Sequence, residues 1–244
     1  MESMNNLFEK AIKSKNSEEI NEFLIELSKD PEKEYLTFLN YFIDNINLPI
    51  FEKIRINLIF ALGKIGEKFQ LDEKYLKFLE EIYYKSDRWV RNEIIQAIEK
   101  ISRKSELPSY HLQLIRFSLT DDYEPVVINS LKILLGLQNL PNFILKNVIQ
   151  ILKSKNSEII QECSLILQKF IPDSNQLFFL LNDSEMYKSI KKGTIRSLLI
   201  AYFRSVINLE SFKKKIESAD WDKESKEIYI KDIDTYERIL LKNL

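Results

Sequence analysis

Apolar residues recur along this chain with helical spacing. Tyr75, Leu76, Leu79, Ile82 and Tyr83 fall on one face of a helix, with Lys74, Lys77, Glu80 and Glu81 on the other. Val90, Ile94, Ile95, Ala97, Ile98 and Ile101 repeat the pattern. Asn-Gly and Asp-Gly hairpin turns are missing and alternation is never sustained, so strands are not expected. Pro31, Pro49, Pro108, Pro125, Pro141 and Pro172 lie between the apolar runs or in their first turns. Proline is tolerated there because no helix-interior N–H is lost. The pattern predicts paired helices at 5–14 with 17–29, 33–46 with 50–66, and 72–85 with 88–103. It continues with 108–119 and 124–138, 141–153 and 156–171, 175–182 and 186–207, and 209–219 and 222–243.

The pairs are related to one another. Lys-Ser-Lys-Asn-Ser-Glu-Glu-Ile at 13–20 returns as Lys-Ser-Lys-Asn-Ser-Glu-Ile-Ile at 153–160, 140 residues later. The second helices align on Asn21, Arg55, Arg91, Val127, Gln161 and Lys191, in steps of 34, 36, 36, 34 and 30 residues. A small residue followed by an aliphatic one recurs as Ala61-Leu62, Ala97-Ile98, Ser130-Leu131, Ser164-Leu165 and Ser197-Leu198. Small side chains at one helical level let neighbouring helices approach closely, and the aliphatics beside them fill the gap.

Ile54–Gly66 and Ser86–Ser102 resemble the second-helix signature of HEAT repeats. Asp87, Val90, Arg91, Ala97 and Ile98 carry that resemblance, and Arg55, Ala61, Leu62 and Gly63 match nearly as well. Asp121–Gly136 keeps the Asp, the Pro-Val and the aliphatics, with Val127 in place of Arg. The copies after Gln161 and Lys191 are weaker. The resemblance implies an all-α fold, a right-handed superhelical α-solenoid of about six to seven antiparallel helix pairs stacked into one continuous core. First helices would lie outside and second helices would line a concave face. On this reading residues 1–244 form one domain. Residues 1–49 hold an N-terminal cap and first repeats, 50–207 the best-matching repeats, and 208–244 the capping helices.

Composition narrows the chemistry. One His and one Cys cannot build a His/Cys zinc site, and the lone Cys163 cannot form an internal disulfide. The four glycines form no phosphate loop. No run of some 18 apolar residues suggests a membrane span, the start lacks a secretory pattern, and a cytoplasmic location is expected. His111 reads as a surface or packing residue and Cys163 as buried and inert. Ser189 and Lys192 match Ser-x-x-Lys without the other elements of an acyl-enzyme site. Asp121, Asp122 and Glu124 read as helix-start acids. Neither catalysis nor any cofactor or metal is expected.

The net charge of −1 hides an asymmetry. Residues 188–215 hold Lys188, Lys191, Lys192, Arg196, Arg204, Lys213, Lys214 and Lys215 against Glu210, a local balance of +7. Residues 216–244 carry eight acids against five bases. The basic stretch could meet an acidic or phosphate-bearing partner, or be a solvated face balanced by the acidic cap. Trp89 and Tyr123 sit at inter-helix turns of successive repeats, as contact anchors or as staples between repeats. Arg88, Trp89, Arg91, Tyr123, Lys132, Lys188, Lys191, Lys192 and Arg196 are therefore the candidate partner-binding residues. The leading expectation is a non-catalytic scaffold that grips a protein or peptide. The alternatives are a nucleic-acid binder resembling HEAT-like alkylpurine DNA glycosylases, and an inhibitor, immunity protein or enzyme helper subunit.

Overall fold

A computed structural model of the protein describes residues 3–104, 107–108, 111–190, 193–201 and 209–238. Among them there are fifteen α-helices and no strand. The first seven are α1 (Met4–Ser14), α2 (Ser17–Lys29), α3 (Leu36–Asn45), α4 (Leu48–Lys68), α5 (Glu73–Tyr83), α6 (Arg88–Ser102) and α7 (His111–Ser118). Then come α8 (Glu124–Gly136), α9 (Asn142–Ile151), α10 (Ser157–Phe170), α11 (Ser174–Asn182), α12 (Met186–Ser189), α13 (Thr194–Ala201), α14 (Leu209–Ser218) and α15 (Lys223–Tyr236).

Local chemistry sets the helix starts. Asn16 and Asn156 occupy the same place in the two copies of the repeated octapeptide. Each side-chain oxygen accepts a backbone N–H, from Glu18 and from Glu158, both at 2.9 Å. Each Asn N–H in turn donates to the serine two residues back, Ser14 and Ser154, both at 3.1 Å. The 140-residue echo is thus a capping device used twice. Pro49 and Pro125 lie in the first turns of α4 and α8, where no intrahelical donor is lost.

Two expected elements differ. A 3₁₀ turn at Lys33–Tyr35 precedes α3, where one helix over 33–46 was expected. The single helix expected over 186–207 is broken into α12 and α13, with residues 202–208 outside the described residues. Gly193, expected inside a helix, lies in the break: its φ is +84°, a left-handed conformation natural to glycine, and its N–H donates to Asp232 Oδ2 at 2.8 Å.

The chain divides into two compact units, Met1–Ile115 and Arg116–Leu244. In the first unit α1, α3 and α5 each pack on their following helix, and α4 packs between α2 and α6. Ile54, Leu58, Ile59 and Leu62 of α4 and Ile94, Ile98 and Ile101 of α6 are fully buried. Polar bonds tie each repeat to the next. Asn57 donates to Asn21 Oδ1 at 2.8 Å, Arg55 meets Asp87 at 2.9 Å, Lys68 meets Asp30 at 2.8 Å and Arg103 meets Glu67 at 3.1 Å. These pairs are 32 to 38 residues apart, which is the sequence repeat expressed as contacts.

In the second unit α8 and α9 pack on α10, α13 on α15, and α14 on both α11 and α15. Trp221 staples the C-terminal helices. Its ring stacks on Tyr187 at 4.3 Å and on Phe178 at 5.6 Å, and its Nε1 donates to Asn182 Oδ1 at 2.8 Å.

The glycines of α4 fix how closely α6 can approach. A Cβ on Gly66 would lie 2.3 Å from Ile101 Cγ1 and 3.0 Å from Leu71 Cδ1, and one on Gly63 would lie 3.0 Å from Ala97 Cα. Gly136 faces open space. Alanine favours a helix over glycine by about 1 kcal/mol, but overpacking costs about 1–3 kcal/mol. Urea unfolding should therefore show Gly66→Ala destabilised by about 1–2 kcal/mol and Gly136→Ala stabilised by about 0.5 kcal/mol. A stabilised Gly66→Ala would contradict the close packing of α4 on α6.

Candidate interaction surface

Asp87 organises the start of α6. Its Oδ1 accepts the N–H groups of Trp89 at 2.9 Å and Val90 at 3.1 Å, while its Oδ2 receives Arg55. Burial raises the carboxyl pKa, but the two N–H groups and the Arg55 guanidinium outweigh it and hold the value below the usual range. Arg55 also pairs with Glu52 at 2.7 Å. Arg91 donates to Ser86 O at 3.0 Å, and Arg55 makes a link between repeats through Asp87.

Beside this cap the second-helix side of the first unit shows a mixed apolar and basic surface. Trp89 is 57 % exposed, and the Arg88 guanidinium lies 5.2 Å from its ring centroid. Ile56 is 44 % exposed on α4, and Phe60 follows it one turn later. The Lys100 ammonium of α6 lies 4.8 Å from the Phe60 ring centroid and that of Lys64 6.0 Å away. Such cation–ring contacts contribute about 0.5–1 kcal/mol at exposed sites and keep the long side chains laid over the aromatic. Glu93 is half-buried on α6, and burial raises its pKa against the influence of Lys100. Ile56, Phe60 and Lys100 escaped the sequence reading because Ile and Phe at helical spacing also describe a core. Only the position of the neighbouring helices shows which face remains open.

The remaining candidates lie in the second unit. Tyr123 is half-buried and its N–H donates to Asp121 Oδ1 at 2.9 Å. Lys132 pairs with Glu158 at 3.3 Å, a link between α8 and α10. Of the eight cations in the basic stretch, three among the described residues meet a carboxylate. Lys188 pairs with Glu185 at 2.8 Å, Lys213 with Asp234 at 2.6 Å and Lys214 with Glu210 at 2.7 Å, while Lys215 donates to Asn175. The partner raises the pKa of Lys188, Lys213 and Lys214 in each case. Arg196 is exposed on α13. Lys191, Lys192 and Arg204 lie outside the described residues.

The groups with possible chemistry are placed as follows. His111 is fully buried. Ser189 Oγ donates to Met186 O at 2.8 Å. Glu124 accepts from Asn156 Nδ2 at 2.8 Å, across to the next repeat. Among the described residues no group of His, Cys, Asp and Glu could hold a metal ion, and no helix is long and apolar enough to cross a membrane. Cys163 is fully buried in α10, and burial, with a smaller push from Glu162, takes its thiol up to about 12.

No protein-family model and no curated protein matches the chain. Solved structures that resemble it include two engineered proteins of the Northeast Structural Genomics Consortium. Target OR497 is 14 % identical with a TM-score of 0.52, covering 95 % of this chain and 68 % of that one. Target OR329 is 15 % identical with a TM-score of 0.49, covering 97 % of this chain and 98 % of the other. At this identity the likeness to the first concerns the fold alone.

Two outcomes follow. Removing the cap with Asp87→Ala should lower stability at pH 7 by about 1–2 kcal/mol. Because the folded pKa is depressed, the wild-type advantage is complete above the ordinary Asp value of 3.8 and disappears as pH falls through the folded value. A urea series from neutral to acid pH measures it, and an undiminished gap in acid rejects the assignment. Cys163 should resist a thiol-specific disulfide reagent at pH 8 in the folded protein and react at once in denaturant. Fast labelling of folded protein would show that the thiol is accessible.

Proposed function

We propose that this protein is a non-catalytic HEAT-like interaction module, a right-handed solenoid that holds a partner protein or peptide on its second-helix face. The observation that carries the reading is the set of exposed apolar side chains on α4 and α6. Trp89 and Ile56 are exposed, and Arg88 lies against the Trp89 ring as Lys100 does against Phe60. Aromatic and arginine side chains of this kind supply most of the energy in protein–protein interfaces. Support for a non-catalytic role comes from the burial of His111 and Cys163 and from the backbone bond that occupies Ser189. Pairing of Lys188, Lys213 and Lys214 with carboxylates weakens the phosphate-binding reading of 188–215. The lone, buried cysteine suits a cytoplasmic setting.

Affinity capture from the native source tests this with wild-type bait and a Trp89→Ala/Ile56→Asp bait of unchanged helicity. The expected result is a partner held by the first and lost by the second; identical captures from both reject the face. A parallel duplex-DNA titration at about 50 and 200 mM salt should show no binding, and tight, steeply salt-dependent binding would transfer the function to nucleic acid.

A further inference from the structure

On the first-helix side of the second unit, three phenylalanines stand in solvent on three different helices. Phe117 of α7 is 54 % exposed, Phe143 of α9 is 37 % exposed and Phe179 of α11 is 69 % exposed. Singly exposed apolar residues are ordinary, but these belong to one group. The Arg116 guanidinium lies 5.8 Å from the Phe143 ring centroid, so the end of α7 abuts the start of α9. On the other flank Asn142, the residue before Phe143, donates to Asp183 Oδ2 at 3.1 Å, so the end of α11 abuts it too. Phe179 lies one turn before Asp183, and its neighbour Phe178 turns the other way to stack on Trp221. The ridge therefore reads cation, apolar centre, anion. Among the described residues Arg116 has no carboxylate partner and Asp183 no cationic one.

We infer that this ridge is a docking surface for a second copy of the same chain, related by a two-fold axis through Phe143. A two-fold contact places each residue opposite its counterpart from the other flank. Arg116 of one copy then meets Asp183 of the other, Phe117 meets Phe179, and the two Phe143 rings meet at the axis. An acidic peptide would answer Arg116 and leave Asp183 without a cation, and a basic one would do the reverse. A second copy satisfies both charges twice over. The three rings expose on the order of 300 Å² per copy. That is the apolar centre of a small interface, the kind found in reversible rather than permanent dimers.

Sedimentation equilibrium of the full chain, from about 1 to 200 µM, tests this, a range that spans reversible association. The expected result is a rise in mass from the 29.0 kDa monomer towards twice that value. Phe143→Asp and, independently, Phe179→Asp should leave a monomer at every concentration. Arg116→Asp and Asp183→Arg should each weaken the dimer about tenfold, and combining them should restore it, because the charges are then exchanged and paired again. Trp89→Ala should have no effect, which keeps this surface distinct from the partner face of the first unit. Circular dichroism confirms that each variant is folded. A wild-type monomer throughout overturns the proposal, as does a dimer indifferent to both Phe variants. Failure of the double exchange to recover the dimer overturns the pairing of Arg116 with Asp183.

Discussion

The close approach of α4 and α6 at Gly63, Ala97, Gly66 and Ile101 is the constraint on which the first unit depends. A lone helix pair has one buried face and one apolar face still open to water. The second face is covered only when the next repeat packs against it, and contact across a few ångströms is needed for dispersion and burial to act. Two glycines inside a helix weaken that helix, yet α4 keeps both, because Gly66 has no room for even one methyl group beside Ile101. Once the backbones are that near, the polar links between repeats fall into reach. Arg55 with Asp87, Asn57 with Asn21 and Arg103 with Glu67 follow from the packing and then fix its register.

The same constraint decides which surfaces remain for function. Each second helix spends its apolar stripe on its neighbours. What is left facing water is short-range in character: an aromatic with a cation laid on it, as at Trp89 with Arg88 and Phe60 with Lys100. Some of the charges that looked unbalanced along the chain are paired in space. Lys213 finds Asp234 across the α14–α15 contact, and Lys188 finds Glu185 one turn away. Charges paired at this range contribute little to the long-range field.

Much of the fold was legible in residues taken one at a time. The helices that follow Asn16 and Asn156 were legible locally, and the caps that start them are local too, because a cap needs only the side chain and the next two N–H groups. Pro49 and Pro125 marked first turns for an equally local reason. The failure at Gly193 is instructive. Glycine is compatible with both a helix interior and a left-handed break, and a carboxylate 39 residues away, on Asp232, receives its N–H in the broken form. Nothing within a helical turn of Gly193 carries that information.

The candidate surfaces were less legible than the fold. Trp89 could be named as an anchor or a staple from its place at a turn; the exposure of its ring is known only from the fold. Phe117, Phe143 and Phe179 gave no signal at all, since phenylalanine at helical spacing normally means core. The sequence alone determined most of the helices, their first turns and their period, because these arise from interactions within one turn or from a repeated pattern. Tertiary structure alone decided which apolar side chains stay in water, which lysines are neutralised and where a helix breaks. Those outcomes depend on atoms that lie tens of residues apart in the chain and within a few ångströms in space.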